Sequence, residues 1–261
     1  MRSRAALGLR LLFFLSGATG LVYQLLWVRV LYQSFGSTIQ SVTTVVAAYM
    51  GGLGLGAWLL GRRADRHPRP AALYGWIEIA IGAFGVASPF ILDLVHRVWI
   101  AAASSLQLGP VASISMRFGL AALVLFIPTT LMGGTLPVLT RAFTRGDRTA
   151  LSPELARLYG LNTLGAVVGT AVAGFVLIEH VGIRTSLWLT ALVNLALGAA
   201  AVALARTVAP SAAPPCPLHP PRARRCRPRL ATRCASRASC SSERLPLRAC
   251  SMRSPGRACS S

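Results

Sequence analysis

The 261-residue sequence contains no lysine, and its acidic residues are also scarce, with seven Asp and Glu in total. Only 13% of the residues are charged, whereas 54% are hydrophobic, and the mean hydropathy is +0.57. A soluble domain of this size needs many more charged side chains to cover its surface. The composition therefore argues against a soluble enzyme and predicts a membrane protein.

Residues 1–215 contain no cysteine, and the six cysteines that follow are irregularly spaced, with no CxxC pair. This pattern favours neither a zinc site nor a disulfide framework. The four histidines are scattered, and the sequence has no nucleophile elbow, P-loop or paired-carboxylate arrangement. We therefore expect no catalytic residue, no metal site and no cofactor in this chain.

The net charge of +20 is a signal that often accompanies nucleic-acid binding, but its distribution points elsewhere. Arginine supplies all of the basic charge. Sixteen arginines lie in residues 1–208, mostly between apolar runs, and eleven lie in residues 209–261. Arginines between apolar runs are typical of loops at the cytoplasmic face of a membrane. We expect the lipid bilayer, and not nucleic acid, to be the partner.

Six apolar segments are long enough to cross a bilayer, which takes roughly 20 mainly apolar residues. The predicted fold is all-α: a polytopic bundle of about six transmembrane helices in residues 1–208, followed by a disordered tail in residues 209–261. The short apolar stretch 99–108 is predicted to be an outer connection, and the fourth span could extend to residue 139 through a kink. The predicted spans are 9–31, 39–60, 73–95, 113–132, 158–178 and 185–205.

The positions of the arginines predict the orientation of the bundle. With a cytoplasmic N-terminus, twelve arginines fall on the cytoplasmic side and four on the outer side, which is a clear positive-inside bias. Both termini then face the cytoplasm. The outer four are Arg29, Arg97, Arg117 and Arg184.

The tail, residues 209–261, consists mainly of Pro, Arg, Ser, Ala and Cys and shows neither helical nor strand periodicity. Such a segment cannot bury enough apolar surface to offset its ordering entropy. It is either a polybasic tail that touches anionic lipid or the product of GC-rich DNA read out of frame.

Small residues four positions apart occur in three of the predicted spans. The run 51–57 also fits a dinucleotide-binding fingerprint, but it lacks the preceding strand and the acid about 20 residues later that this fingerprint requires. Small residues at this spacing let two membrane helices approach closely. We therefore predict that these residues pack helices: Ser16 and Gly20, Gly52 and Gly56, and Gly165 and Gly169.

Polar residues at membrane depth are candidates for function because leaving them in lipid is costly. Glu78 is the strongest candidate: it could bind a proton or cation, or it could pair with a loop arginine and stabilise the bundle. Arg29 could reach the interface or contact a ligand. Gln24, Asn162 and Asn194 are predicted to form hydrogen bonds between helices. These five residues form the candidate intramembrane polar site.

Four ordered motifs carry a resemblance to a known family: FLSGATGLVYQLLW at 14–27, FGST at 35–38, TLMGGTLP at 130–137 and RLYGLNTLGA at 157–166. Over about residues 10–206, the chain resembles the membrane part of bacterial fused major-facilitator-like/spermidine synthase proteins. Gln24 stands where that family often carries Glu.

The segment GRRADRHPR at 61–69 is similar to the cytoplasmic turn signature of major-facilitator transporters, with Pro68 where Gly is usual. The signature residues are Gly61, Asp65, Arg66 and Arg69. We expect Asp65 to organise this turn among its neighbouring arginines.

The resemblance implies a multi-pass protein of the bacterial inner membrane and a link to polyamine biosynthesis. Full-length members of the family continue into an aminopropyltransferase domain, and no Gly-rich turn or catalytic Asp follows residue 209. We therefore expect a truncated synthase whose bundle is at most an anchor or transport module. The alternatives are a stand-alone six-helix transporter half for a small cation or metabolite, and a scaffold with a polybasic tail. A polyamine or small cation and a second copy of the chain are the partners left open.

Overall fold

The computed structural model describes residues 3–35, 39–106, 109–144 and 148–207. Within these ranges every regular element is a helix, and no strand is present. The predicted disordered tail at 209–261, Arg145 and residues 36–38 of the FGST motif lie outside the described residues.

Six long helices form the described part of the chain, and each is long and apolar enough to cross a membrane. A π-helix, Ala173–Val181, continues the fifth helix. The prediction of an all-helical bundle with six membrane-spanning segments is confirmed. The helices are α1 Ser3–Phe35, α2 Ile39–Arg66, α3 Pro70–Leu106, α4 Pro110–Thr144, α5 Arg148–Val172 and α6 Ile183–Arg206.

The third and fourth helices are longer than the sequence predicted. Helix α3 continues to Leu106, so residues 99–106 are its last turns and not a separate connection. The segment from Val95 to Leu106 contains no Gly or Pro to end a helix, and its alanines favour one. Helix α4 runs through Pro128 and Pro137, beyond the predicted limit at residue 139. Prolines are tolerated there because neighbouring helices and hydroxyl side chains can satisfy the carbonyls that they free.

The helices associate mainly in three pairs: α2 with α4, α3 with α6, and α1 with α5. Lipid tails are as apolar as leucine, so close packing and interhelical hydrogen bonds must hold such pairs together. In the α2–α4 pair, a Cβ on Gly52 would overlap the Thr129 side chain, and a Cβ on Gly56 would overlap the Thr130 carbonyl. These two glycines therefore lie where the two backbones come closest.

The α1–α5 and α3–α6 pairs use the same device. Gly165 lies against the Phe14 carbonyl, and Gly169 lies against Ala18, so α1 and α5 touch through their backbones. Between α3 and α6, Gly75 and Gly198 face each other, and a Cβ on either one would overlap the other's carbonyl oxygen. The sequence does not predict this last contact, because neither Gly75 nor Gly198 belongs to a GxxxG motif.

Aromatic side chains fill the interior where α1 meets α3. Tyr23 and Trp27 stack with their ring centroids 4.9 Å apart, and Phe84 meets Trp27 edge-on at 6.0 Å. Phe13 and Tyr74 form a second edge-to-face pair at 6.0 Å. Edge-to-face and offset-stacked arrangements are the ones that aromatic rings favour, so α1 is fixed against α3 along much of its length.

A single glycine turns the chain from the π-helix into α6. Gly182 has a φ of 84°, which side chains with a Cβ rarely adopt. Its N–H donates to the Leu177 carbonyl at 3.0 Å, and its own carbonyl accepts from Ser186 N–H at 3.0 Å. The predicted fifth and sixth spans therefore join through a turn of one residue.

Candidate functional site

Glu78 lies in the middle of the bundle, on α3, and its side chain is completely buried. The Ser16 hydroxyl on α1 donates to one carboxyl oxygen at 2.5 Å. The Asn194 amide on α6 donates to the other at 2.8 Å. Burying a carboxyl group is costly unless its oxygens are hydrogen-bonded, and here one donor from each of two other helices meets it. We refer to Ser16, Glu78 and Asn194 as the carboxyl cluster.

The partners of Glu78 in the described part of the chain are neutral. Ion pairs there involve three other acids: Asp65, Asp93 and Glu154. The sequence left open a pair between Glu78 and a loop arginine, and the structure instead shows a serine and an asparagine. The carboxyl group therefore has neutral hydrogen-bond donors and no counter-charge among the described residues.

Further polar atoms lie unpaired on the helices that carry this cluster. The Asn194 Oδ1 atom and the Tyr23 hydroxyl group are buried and have no hydrogen-bond partner among the described residues. The buried Tyr74 hydroxyl, one helical turn before Glu78, interacts with the side chains of Glu78 and Ser16, and the Tyr23 hydroxyl lies against Gly85. Buried polar groups are normally paired, so these atoms provide further donors and acceptors for a small polar ligand or for water.

A cavity of about 200 Å³ lies between α1, α2, α4 and α5. Ser16 borders this cavity and also donates to Glu78, so it connects the cavity with the carboxyl cluster. The polar side chains around the cavity, apart from Ser16, are Gln24, Tyr49, Thr135 and Asn162. Two of the residues predicted from sequence, Gln24 and Asn162, thus meet here, while Glu78 and Asn194 meet on the other side of Ser16.

The cavity lining is neutral and includes acceptors that a small cation can use. Amide and hydroxyl oxygens of Gln24, Asn162 and Thr135 can accept hydrogen bonds from an ammonium group. The carbonyl oxygen of Gly20 already accepts from the Tyr49 hydroxyl at 3.3 Å. No arginine is among the described lining residues. Apolar walls with a few converging acceptors are typical of small-ligand sites.

Gly20 differs from the other small residues that were predicted to pack helices. A Cβ on Gly20 would meet nothing within 4 Å, and Gly20 borders the cavity. Gly17, three residues earlier, lies against the Asn162 carbonyl instead. The α1 face that contacts α5 therefore includes Gly17 and Ala18, and not the predicted pair Ser16 and Gly20. Ser16 instead belongs to the carboxyl cluster.

Arg29 is not part of either group. Its exposed side chain borders a separate cavity of about 450 Å³ together with Tyr32 on α1 and Gly174 and Ile178 of the π-helix. The structure therefore does not bring Arg29 together with Gln24, Glu78, Asn162 or Asn194.

The turn signature lies at the junction of α2 and α3. Asp65 pairs with Arg141 of α4 at 3.7 Å, and not with the arginines beside it in sequence. A Cβ placed on Gly61 would lie 3.5 Å from the Pro137 side chain of α4, so the two residues are neighbours. Arg66 and Arg69 are exposed. The acid of this turn therefore ties α2 to α4, the helix with which α2 already packs.

The comparison with known proteins finds a distant relative. Polyamine aminopropyltransferase 2 of Streptomyces coelicolor is 29% identical to this chain over 189 residues, which is 72% of this chain and 32% of that protein. The chain thus spans about a third of the length of the curated relative that it matches. No family model matches the chain, and no solved structure matches it. The chain is a helical, membrane-type bundle with distant similarity to a polyamine aminopropyltransferase.

Proposed function

We propose that the chain is the membrane module of a polyamine aminopropyltransferase-like protein and that its bundle binds a polyamine or a similar organic ammonium ion. The distant similarity to a polyamine aminopropyltransferase supports the link to polyamines. The observation that carries the proposal is the buried Glu78 carboxyl group, which has only neutral donors and lies next to a cavity lined by acceptors.

A carboxylate at membrane depth is expensive unless a positive charge compensates it. Among the described residues that charge does not come from an arginine, so a bound cation or a proton has to supply it. A polyamine carries several ammonium groups along an apolar chain. One ammonium group in the cavity would meet the oxygens of Gln24 and Asn162, and it would approach Glu78 across Ser16.

The helix arrangement is compatible with a transport role for the same site. Transporters of the major-facilitator type use six-helix halves built from two three-helix repeats, with substrate sites near the middle of the bilayer. We propose that this bundle is one such half, that it lies in the inner membrane with both termini in the cytoplasm, and that it also anchors the protein.

The test is binding of tritiated spermidine to the purified chain in detergent micelles. We expect saturable binding by the unaltered chain and at least a tenfold weaker affinity for Glu78→Gln, which keeps the shape of the side chain and removes its charge. Glu179→Gln is the matched control, because Glu179 is an exposed acid in the π-helix. This control should bind spermidine as the unaltered chain does.

Elution of each variant as a single species in size-exclusion chromatography would show that the bundle is intact. If the folded chain binds no spermidine, or if Glu78→Gln and Glu179→Gln bind it equally well, the bundle has no cation site at Glu78. Its function would then be reduced to anchoring.

A further inference from the structure

The C-terminal end of α2 carries three arginines within five residues: Arg62, Arg63 and Arg66. All three are exposed, and they border an open cleft of about 680 Å³ together with Leu59, Leu60 and His67. We refer to this feature as the arginine cleft. It lies at the opposite end of α2 from Ile39 and is lined by none of the residues around the 200 Å³ cavity.

The positive charge of the arginine cleft is not neutralised within the described part of the chain. Asp65 is the acid nearest in sequence, and it pairs with Arg141 of α4. None of the three arginines forms an ion pair with a described residue; the arginines that do are Arg10, Arg141, Arg157 and Arg184. The cleft therefore holds three positive charges that are available to an anion.

Leu59 and Leu60 line the cleft on the side toward the membrane-spanning part of α2, and Trp58 directly precedes them without lining the cleft. Trp58 is 53% exposed and Leu59 is 43% exposed. The Arg62 guanidinium lies 4.2 Å from the centre of the Trp58 ring, one helical turn away. Tryptophan is enriched at membrane–water interfaces, where its ring meets both lipid and water. Trp58 and Arg62 thus place the cleft at the boundary between the hydrocarbon and the headgroups.

His67 adds an imidazole donor to the lining of the cleft. The backbone N–H of Arg69 donates to His67 Nδ1 at 3.2 Å. Because Nδ1 accepts this bond, the hydrogen of a neutral imidazole is on Nε2. His67 also borders the cleft, so it can donate alongside the guanidinium groups.

We propose that the arginine cleft binds the phosphate of an anionic phospholipid, with the acyl chains lying along Trp58 and Leu59. Guanidinium groups match phosphate oxygens in geometry and charge, and basic pockets at the ends of membrane helices bind anionic headgroups. A free phosphate ion would use the arginines only. A phospholipid also covers the exposed Leu59, which lines the cleft, and the exposed Trp58 beside it, and these apolar side chains favour the lipid as the occupant.

The experiment is a titration of the purified full chain in detergent micelles with phosphatidylglycerol, with bound lipid counted by native mass spectrometry. Phosphatidylcholine and inorganic phosphate are the comparison probes. We expect phosphatidylglycerol to bind more tightly than phosphatidylcholine. The variant Arg63→Gln with Arg66→Gln should weaken its binding by roughly 30-fold, on the order of fivefold for each arginine. Arg62 is kept because it stacks on Trp58.

The charge-matched control is Arg97→Gln with Arg206→Gln, since both arginines are exposed and lie on other helices. It should leave phosphatidylglycerol binding unchanged. As a measurement that needs no variant, raising the salt from 0.1 M to 0.5 M NaCl should weaken binding by the unaltered chain, because salt screens exposed charges.

Equal loss of binding in the control and in the cleft variant, or no effect of salt on the unaltered chain, would overturn the proposal. Displacement of phosphatidylglycerol by an equal concentration of inorganic phosphate would also overturn it, and would make the cleft a site for free phosphate.

Discussion

At the scale of single residues, the carboxyl cluster shows how a glutamate side chain can be buried inside a membrane bundle. Glu78 has no arginine partner among the described residues, but each of its carboxyl oxygens accepts one hydrogen bond. Hydrogen bonds to a carboxyl group are individually worth about 1.5–3 kcal/mol when the group is charged. Ser16 and Asn194 therefore hold Glu78 in place and leave its charge to be balanced by a ligand or a proton.

Gly56 and Gly54 allow a residue-scale prediction with an internal control. Gly56→Ala should destabilise the bundle by about 1–3 kcal/mol, because the new Cβ would overlap the Thr130 carbonyl and force α2 and α4 apart. Gly54→Ala should be neutral or slightly stabilising, since nothing lies within 4 Å of a Cβ at that position. Unfolding in mixed micelles with increasing SDS measures both. Equal effects of the two substitutions would contradict the close approach of α2 and α4 at Gly56.

At the scale of helices, ion pairs connect elements that are distant in sequence. Arg10 of α1 donates to both carboxyl oxygens of Glu154 on α5, at 3.0 and 3.1 Å. The Arg10 guanidinium also lies 5.1 Å from the centre of the Phe143 ring on α4. At another junction, Asp93 of α3 pairs with Arg184 of α6. The Arg10–Glu154 pair is less exposed to solvent than the Asp93–Arg184 pair. This difference determines how much each pair contributes to the stability of the bundle.

We predict that Glu154→Gln destabilises the bundle by about 1–2 kcal/mol, because it weakens two bonds from Arg10 and one from Arg157. The Glu154 side chain is only 17% exposed. Asp93→Asn should cost less than about 1 kcal/mol, because Asp93 and Arg184 are 51% and 61% exposed and water screens their attraction. Thermal unfolding of the two variants in the same detergent compares them. A larger loss for Asp93→Asn would reverse this ranking.

At the scale of the whole molecule, an even number of spans predicts that the two ends of the bundle lie on the same side of the membrane. The arginine distribution predicts that this side is the cytoplasm. A phosphatase reporter that is active only outside the cytoplasm should therefore be active when inserted at residues 107–108, between α3 and α4. It should be inactive when inserted after His67, between α2 and α3. The reverse pattern would mean that the bundle has the opposite orientation.

The sequence predicted the number and type of elements better than their ends. Helix α3 extends past Trp99 to Leu106, and α4 passes through Pro128 and Pro137 to Thr144. Hydropathy marks the part of a helix that fits within the hydrocarbon, and a helix does not have to end where the hydrocarbon ends. Its end depends on local breakers and on packing against neighbours, which hydropathy does not report.

The candidate site was predicted as a set of residues, and the tertiary structure divides that set. Glu78 and Asn194 share the carboxyl cluster, Gln24 and Asn162 border the cavity, and Arg29 lies apart. Ser16, which the sequence assigned to helix packing, connects the first two groups. A serine four residues before a glycine fits a packing motif equally well, so its spacing could not reveal a hydrogen bond to another helix.

The sequence by itself determined that the described part of this chain forms six apolar helices, because in lipid every backbone N–H and C=O must be satisfied within its own segment, and this is a local property. Only the tertiary structure decided which polar residues meet. Ser16 and Asn194 lie 62 and 116 positions from Glu78, yet both donate to its carboxyl group. Such contacts depend on how each helix is rotated and on where glycines such as Gly56 and Gly165 let backbones touch. Rotation and close approach arise from the mutual packing of all six helices, and no single segment encodes them.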